Sequence, residues 1–293
     1  MPEPIIINEQ QEELIHYPDK QWKHVILHNV MTDIMFGYIP LHWHHALQFM
    51  YVIKGELIVH ISGSKHYLNA GDGIFINSNI IHEIAEQQPY TEYYCWNVEL
   101  PHISQYVEFE YVDYILQHTQ HIPYIVLRQS ETKYEDILSF IKNAGQTYDQ
   151  QSTHYQLTIL NYYYNCLKWL YDYMGQHVNQ QRYQFDYRIK HLITLMQQNY
   201  HHKITLTDLS EHIHMSKAET IKLFKKYVGY TPFSYLLNYR LEKSKEQLLL
   251  ATYSVTEVAM NCGFATTSYF IKVFKVRYHE TPKQFQLRQL NLR

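Results

Sequence analysis

Four side chains able to bind metal or hydrogen-bond a ligand stand at strand-like spacing: His42, His44, Gln48 and, further on, His82. Period-two alternation turns His42 and His44 the same way from one strand, sets Gln48 and Met50 on a shared side, and lets His82 approach from a neighbouring strand. Three imidazoles are the right count of nitrogen donors for a metal. The fourth position is a neutral amide, a poorer ligand for a divalent cation than a carboxylate. The set therefore favours a pocket for a small polar effector, lined by His42, His44, Gln48 and His82 with Tyr51, Tyr94 and Trp96 nearby, and no metal or other cofactor. Aromatic faces beside neutral hydrogen-bonding groups suit a polyol such as a sugar. A filled interior in which the histidines satisfy one another is a third reading. Trp43 and His45 alternate to the other face and read as surface or interface residues.

The elements that must carry these residues are short strands. Runs rich in Ile, Val, Tyr and Phe occupy His24 to Asn29, Leu47 to Ile53, Gly55 to Ser62, Gly73 to Ile76 and Thr91 to Leu100, separated by Gly-, Asn- and Ser-containing turns. Regular short strands favour a barrel or sandwich over a parallel sheet. Gly37, then His42-x-His44-x3-Gln48-x6-Gly55, followed by Gly71-x5-Asn77-x-Asn79-x2-His82, resembles the two motifs of the cupin barrel. In metal-binding cupins the first motif supplies two His and a Glu, and the second a His. Here Gln48 stands for the Glu, and Asn77 and Asn79 replace the usual Pro and Gly.

From Ser104 to Met174 the period becomes helical. One helix is expected over Tyr134 to Thr147, with Ile137, Leu138 and Ile141 inward. A longer one over Ser152 to Met174 has a seam of Leu160, Tyr163 or Tyr164, Leu167, Leu170 or Tyr171, and Met174. That seam either covers the barrel or pairs with its twin in a homodimer. The stretch Gly175 to Gln184 lacks apolar periodicity and reads as a linker, with a boundary near residue 182.

Lys203 to Phe285 says nearly the same thing twice. Phe224-Lys225, Gly229 and Thr231-Pro232 recur as Phe274-Lys275, His279 and Thr281-Pro282. Two copies are too few to stack as a solenoid. Each copy reads as a helix-turn-helix. Thr205 caps a helix with Leu206, Leu209 and Ile213 on one face, and Ser216-x-x-Glu219 and Ser254-x-x-Glu257 are capping boxes. Gly263 can take the left-handed turn, Thr266 or Thr267 opens the last reader helix, and Pro232 starts a long spacer helix. Burial of Leu223, Phe224, Val273 and Phe274 leaves Lys217, Ala218, Ile221 and Lys222 on one reader, and Thr267, Ser268, Ile271 and Lys272 on the other, facing a DNA groove. Ile221 and Ile271 suit thymine methyls, or belong to the core. Lys225, Lys226, Lys275 and Arg277 suit phosphates.

Arg240-Leu-Glu-Lys-Ser-Lys, then Val258-Ala259-x3-Gly263-Phe264-x4-Tyr269-Phe270-x3-Phe274-Lys275-x5-Thr281-Pro282-x2-Phe285, is similar to the AraC/XylS family of bacterial transcription regulators. The resemblance implies a seven-helix domain placing two recognition helices in successive major grooves, and an N-terminal domain that binds an effector and dimerises. The chain departs from the family at His279 for Gly, Ser244 for Ala and Gln286 for Arg, the last removing a phosphate contact. Thr220 stands where a larger apolar residue is usual.

Charge divides along the same line. Residues 182–293 hold 17 Lys+Arg against 8 Asp+Glu, leaving 8 against 20 in residues 1–181. Only the C-terminal half should meet a polyanion. The three cysteines have no metal-motif spacing and read as reduced thiols. The acidic N-terminus resembles no signal peptide, and no apolar run is long enough to span a membrane. The fold class expected is α+β: residues 1–181 form a cupin-like barrel with a helical dimerisation segment, and residues 182–293 an all-α domain with two helix-turn-helix motifs. The function expected is a cytoplasmic, effector-responsive transcription regulator or activator that binds double-stranded DNA, with RNA polymerase as a further partner. The alternative is a metal-dependent cupin enzyme fused to a DNA-binding module.

Overall fold

A computed structural model describes residues 6–7, 12–18, 22–34, 37–99, 107–119, 121–177, 188–249 and 253–290. The chain forms two compact units, made largely of residues 1–186 and 187–293.

Among the described residues the N-terminal unit is built on nine strands in two antiparallel sheets. One sheet contains β1 (His24–Val30), β3 (Leu47–Lys54), β6 (Gly73–Ile76), β8 (Glu92–Val98) and β9 (Tyr124–Leu127), in the order β1-β8-β3-β6-β9. The other contains β2 (Tyr38–His42), β4 (Glu56–Ile61), β5 (Ser64–Asn69) and β7 (His82–Glu86), in the order β2-β7-β4-β5. Between the sheets lies an interior of Met50, Val52, Leu57, Val59, Ile74, Ile84, Tyr93 and Cys95. On the outer face of the five-stranded sheet, Phe49, Phe75, Tyr94 and Trp96 pack with residues of α1 (Val107–Gln117), α2 (Glu135–Gln150) and α3 (Tyr155–His177). Successive residues of one strand thus feed two different cores, as the strand period requires.

Five strands fall where the alternating pattern placed them. β2 and β7 carry His42 and His82 on neighbouring strands as expected, but β2 ends at His42, so His44 is not on its face; β5 and β9 have no counterpart in that pattern. β9 interrupts the region expected to be wholly helical. Tyr-Ile-Val-Leu is too short to show a period, and its Ile125 and Leu127 turn to the outer core while Tyr124 and Val126 turn inward. α3 buries Ile159, Tyr163, Cys166, Leu167, Leu170 and Met174. Leu160, expected in that seam, sits one position off the buried stripe and is half-buried. Gly175 to His177 continue α3 rather than opening a linker; the rest of that stretch lies outside the described residues. The Asn residues of the second cupin-like motif have clear roles. Asn77 donates to the carbonyls of Ile115 and Ile122, and Asn79 takes the left-handed conformation at φ 64 where glycine is usual.

The second unit has seven helices among its described residues: α4 (Arg188–Gln198), α5 (Leu206–His212), α6 (Lys217–Val228), α7 (Pro232–Leu249), α8 (Val255–Asn261), α9 (Thr267–Tyr278) and α10 (Pro282–Leu290). Their starts follow the sequence signals. Thr205 with Asp208, Ser216 with Glu219, and Ser254 with Glu257 each form a reciprocal capping box, and Thr266 accepts from the Tyr269 amide. Arg240 from α7 closes the end of α4 by donating to the carbonyls of Tyr200 and His202, both at 2.7 Å. All three cysteines are buried and unbridged. No helix among the described residues is long and apolar enough to cross a membrane.

Candidate effector site and DNA-reading surface

His42 ends β2 directly opposite His82, which starts β7, and the chain turns through Trp43 to bring His44 back beside both. The ring centroids of His42 and His82 are 4.2 Å apart, and those of His44 and His82 are 5.2 Å apart. All three rings are buried. Each imidazole is oriented by the same device. Nδ1 of His42 lies 2.8 Å from the Pro40 carbonyl, Nδ1 of His44 3.0 Å from that of Ala46, and Nδ1 of His82 2.9 Å from that of Ile80. A carbonyl only accepts, so each Nδ1 carries the proton and each Nε2 keeps its lone pair. One ring nitrogen from each histidine lies within 4.8 Å of the others. Nε2 of His44 and of His82 have no hydrogen-bond partner.

Burial lowers the pKa of His42 to about 4 and of His44 to about 3, and holds His82 well below the usual range, with neighbouring histidines adding to the effect at His44 and His82. The neutral, lone-pair-bearing form is the one these surroundings favour at neutral pH. Gln48 faces the same interior. Its Nε2 donates to Cys95 Sγ at 3.0 Å, and its buried Oε1 has no partner.

A residue that spacing did not single out stands beside His42 at the edge of the cluster. Glu13 donates its backbone amide to the Trp43 carbonyl at 2.8 Å, and its Oε2 reaches to 3.5 Å from Nε2 of His42. Burial raises the Glu13 pKa to about 7. Glu13 lies 29 positions before His42 in an acidic stretch with no motif, so no local signal tied it to the histidines. Three oriented imidazole lone pairs fit a borderline divalent metal ion by donor chemistry, and each ring is held by the backbone carbonyl that such ligands normally have behind them.

The three aromatic residues expected at this site are elsewhere. In the β3–β8 register Gln48 opposes Asn97, whereas Phe49 opposes Trp96 and Tyr51 opposes Tyr94. Tyr51, Tyr94 and Trp96 therefore share the outer face. Tyr94 Oη donates to Asp149 of α2 at 2.7 Å, and Trp96 Nε1 donates to Nδ1 of His24 at 3.2 Å. The aromatic platform that suggested a sugar is not at the histidine cluster. Trp43 is half-buried, and His45 is exposed with Nε2 3.4 Å from a Glu12 carboxylate oxygen.

In the second unit, α6 exposes Lys217, Ala218, Lys222, Lys225 and Lys226 while burying Thr220, Leu223 and Phe224. α9 exposes Ser268, Ile271, Lys272, Lys275 and Arg277 and buries Phe270 and Phe274. Thr267 is half-buried in the first turn. The two isoleucines differ: Ile271 is exposed, whereas Ile221 is half-buried. Arg277 leans inward, with Nη2 4.0 Å from the Glu242 carboxylate. Gln286 does not stand at the surface in place of a phosphate contact. It is buried, and its Nε2 donates to the Tyr253 carbonyl at 3.2 Å.

The turns match across the two copies. His214 at φ 52 and Gly263 at φ 76 occupy the same left-handed step, and the next residues, Met215 and Phe264, donate back to Ser210 and Ala259. Gly263 has a further reason to be glycine: a Cβ there would sit 2.5 Å from the Tyr200 carbonyl oxygen. His279 ends α9 at φ 61, the position where a non-glycine residue costs about 1 kcal/mol.

Comparison with known proteins agrees with this architecture. Residues 36–89 match the Cupin domain family and residues 209–288 the Helix-turn-helix domain family. An uncharacterized HTH-type transcriptional regulator of Bacillus subtilis, YdeC, is 30% identical over 293 residues, covering 96% of this chain and 97% of its own. The regulatory protein PocR of Salmonella typhimurium is 35% identical over 88 residues, or 30% of this chain and 29% of its own. Among solved structures, ToxT from Vibrio cholerae aligns over 89% of this chain and 97% of its own, at 9% identity and a TM-score of 0.43. With a cupin domain ahead of two capped helix-turn-helix units and a relative matched from end to end, the chain belongs to the AraC/XylS family of transcriptional regulators.

Proposed function

We propose that the protein reads DNA through α6 and α9 and adjusts that reading according to a ligand held at the histidine cluster of the N-terminal barrel. The observation that carries the ligand half is the set of buried acceptors without partners, Nε2 of His44 and His82 and Oε1 of Gln48. An unsatisfied buried polar atom costs on the order of 1–3 kcal/mol, so a ligand that satisfies several is strongly favoured there. Lys217, Ala218, Ile221 and Lys222 of α6, and Thr267, Ser268, Ile271 and Lys272 of α9, meet the grooves. Lys225, Lys226 and Lys275 meet phosphates. Arg277 is the weakest member of this set, because Glu242 competes for it.

On this reading the unit boundary falls near residue 182, and the chain is a regulator, not an enzyme. The buried faces of α3 serve the barrel, so any homodimer forms through the side left outward, where Leu157, Tyr164 and Tyr171 are exposed. Regulation requires the ligand to favour one arrangement of the protein over another. The test is a thermal-shift screen of small polar compounds and metal ions, followed by DNA-binding assays at fixed salt. A ligand that stabilises the wild type, fails to stabilise His44→Ala, and changes DNA affinity supports the reading. A ligand whose effect survives His44→Ala places the site elsewhere.

A further inference from the structure

The last turn of α9 carries the arginine of that helix, and a carboxylate of the spacer helix α7 faces it. We infer that Glu242, fixed in place by Lys245 and Tyr278, is a built-in competitor of DNA phosphate for Arg277, so that removing its charge tightens DNA binding. The inference rests on the reading of α9 as a DNA reader and names the residue that tunes its grip.

The geometry sets a fixed, buried charge beside a half-exposed one. Glu242 is 9% exposed, and both of its carboxylate oxygens are engaged. Tyr278 Oη donates to Oε1 at 2.8 Å, and Lys245 Nζ donates to Oε2 at 3.4 Å. Lys245 is itself buried, with Nζ 4.9 Å from the centre of the Tyr278 ring. Burial and the Glu242 carboxylate hold the Tyr278 pKa well above the usual phenol range, so its hydroxyl stays a donor. Arg277 approaches the same Oε1, with Nη2 4.0 Å away, while 47% of its side chain stays open to solvent.

Distance and exposure decide which partner yields. At 4.0 Å Arg277 is drawn by charge without a close hydrogen bond, and a phosphate oxygen in direct contact offers more. Glu242 cannot follow it outward, because that would strand the buried Lys245 ammonium. Arg277 is therefore the group that moves, and any phosphate contact it makes is made against the pull of Glu242. An ion pair with one partner in solvent shifts an equilibrium by at most about fivefold, enough to tune binding and too little to block it. The equivalent positions of the first unit, Tyr227 and Val228, are buried and include no basic residue. The contact thus acts on one reader and not on its sibling.

The experiment measures affinity of the full-length chain for one duplex, selected by the wild type, over a series of salt concentrations. Glu242→Gln keeps an acceptor for Tyr278 and removes the charge. It should tighten binding up to about fivefold and steepen the slope of log affinity against log salt by up to about one unit. With Arg277→Ala already in place, Glu242→Gln should change neither quantity. Tyr278→Phe leaves Oε1 to Arg277 alone and should weaken binding. The two substitutions therefore act in opposite directions, whereas a merely structural network would weaken binding in both. Glu242→Gln leaves Lys245 buried without its carboxylate, so Glu242→Gln with Lys245→Met is made in parallel and should show the same Arg277-dependent gain. Far-UV circular dichroism and thermal unfolding check that each variant is folded.

A folded Glu242→Gln variant that binds no tighter than the wild type overturns the proposal. So does a gain that survives Arg277→Ala, which would mean that the carboxylate repels phosphate directly. The wider reading fails separately. If Lys275→Ala leaves the salt slope unchanged, α9 does not face DNA. If Lys275→Ala flattens the slope while Glu242→Gln changes nothing, the reader stands and the competitor falls.

Discussion

The two helix-turn-helix units share a backbone plan and differ in what fills it. The second is packed with aromatic rings: Phe270 lies 4.8 Å from Phe264 and 5.5 Å from Phe274, and Phe274 lies 5.7 Å from Phe285, centroid to centroid. In the first, Thr220 takes the place of Phe270 and Met215 that of Phe264, leaving Phe224 against Tyr235 at 5.5 Å. Thr220 is fully buried, and its hydroxyl donates to the Ser216 carbonyl at 3.0 Å. Exposed charge runs the other way. α6 shows four lysines, while α9 shows two lysines and an arginine partly engaged by Glu242. The first unit is thus richer in exposed positive charge and poorer in apolar packing. One repeat can hold a rigid geometry while its sibling supplies much of the non-specific attraction, a division that sequence similarity between them hides.

The largest test of this contrast is truncation at the matched position. Phe270→Ala should destabilise the protein by about 3–5 kcal/mol in urea denaturation, whereas Thr220→Ala should cost about 1–2 kcal/mol, the scale of one hydrogen bond and a methyl group. Equal losses would show that the two cores are equally packed. Next comes salt dependence. Lys225→Ala and Lys275→Ala should each flatten the slope of log affinity against log salt by about one unit, and Arg277→Ala should flatten it by less. A full unit lost at Arg277 would mean that DNA displaces Glu242.

Acid should separate the units as well. The Ser216 and Thr205 caps hold Glu219 and Asp208 below their usual carboxylate pKa through hydrogen bonds, and the Ser254 cap does the same for Glu257. A lowered folded-state pKa means that stability from these carboxylates is present above the ordinary carboxylate range and lost as pH falls through the lowered value. The first unit has two such boxes and the second has one, since Thr266 caps α9 without an acidic partner. Amide NMR signals of α5 and α6 should therefore lose dispersion at higher pH than those of α9 as the sample is acidified below about pH 4. The opposite order would break the comparison. The smallest effect is Thr220→Leu, expected to add about 1 kcal/mol of stability by burying more apolar surface; a loss would mean that the first core is already closed around threonine.

Much of this was legible from local chemistry. Capping boxes, Gly263, Pro232 and the buried phenylalanines act within a few residues of themselves, so the sequence alone located the helices of both units. The histidine cluster was legible from the spacing of the two cupin-like motifs, although His44 lies past the end of β2 and not on its face. Three features were not legible, or were misread. Gln48 and Tyr51 are three apart and must face opposite ways, yet Tyr94 and Trp96 could be assigned to a face only once the β3–β8 register was known. Leu160 and Ile159 are adjacent, and a helical period tolerates either until packing decides. Glu13 reaches the site through tertiary closure alone, without a spacing rule.

The central claim is that one chain carries two separate DNA readers, and the most direct measurement is selection of bound sequences from random duplex DNA by the purified protein. Each chain should specify two short blocks centred about one helical turn, ~10–10.5 base pairs, apart. Ile221→Ala with Lys222→Ala should erase the preference in one block and leave the other, and Ile271→Ala with Lys272→Ala should do the reverse. A single specified block, or two blocks that fade together under either pair of substitutions, would contradict the account.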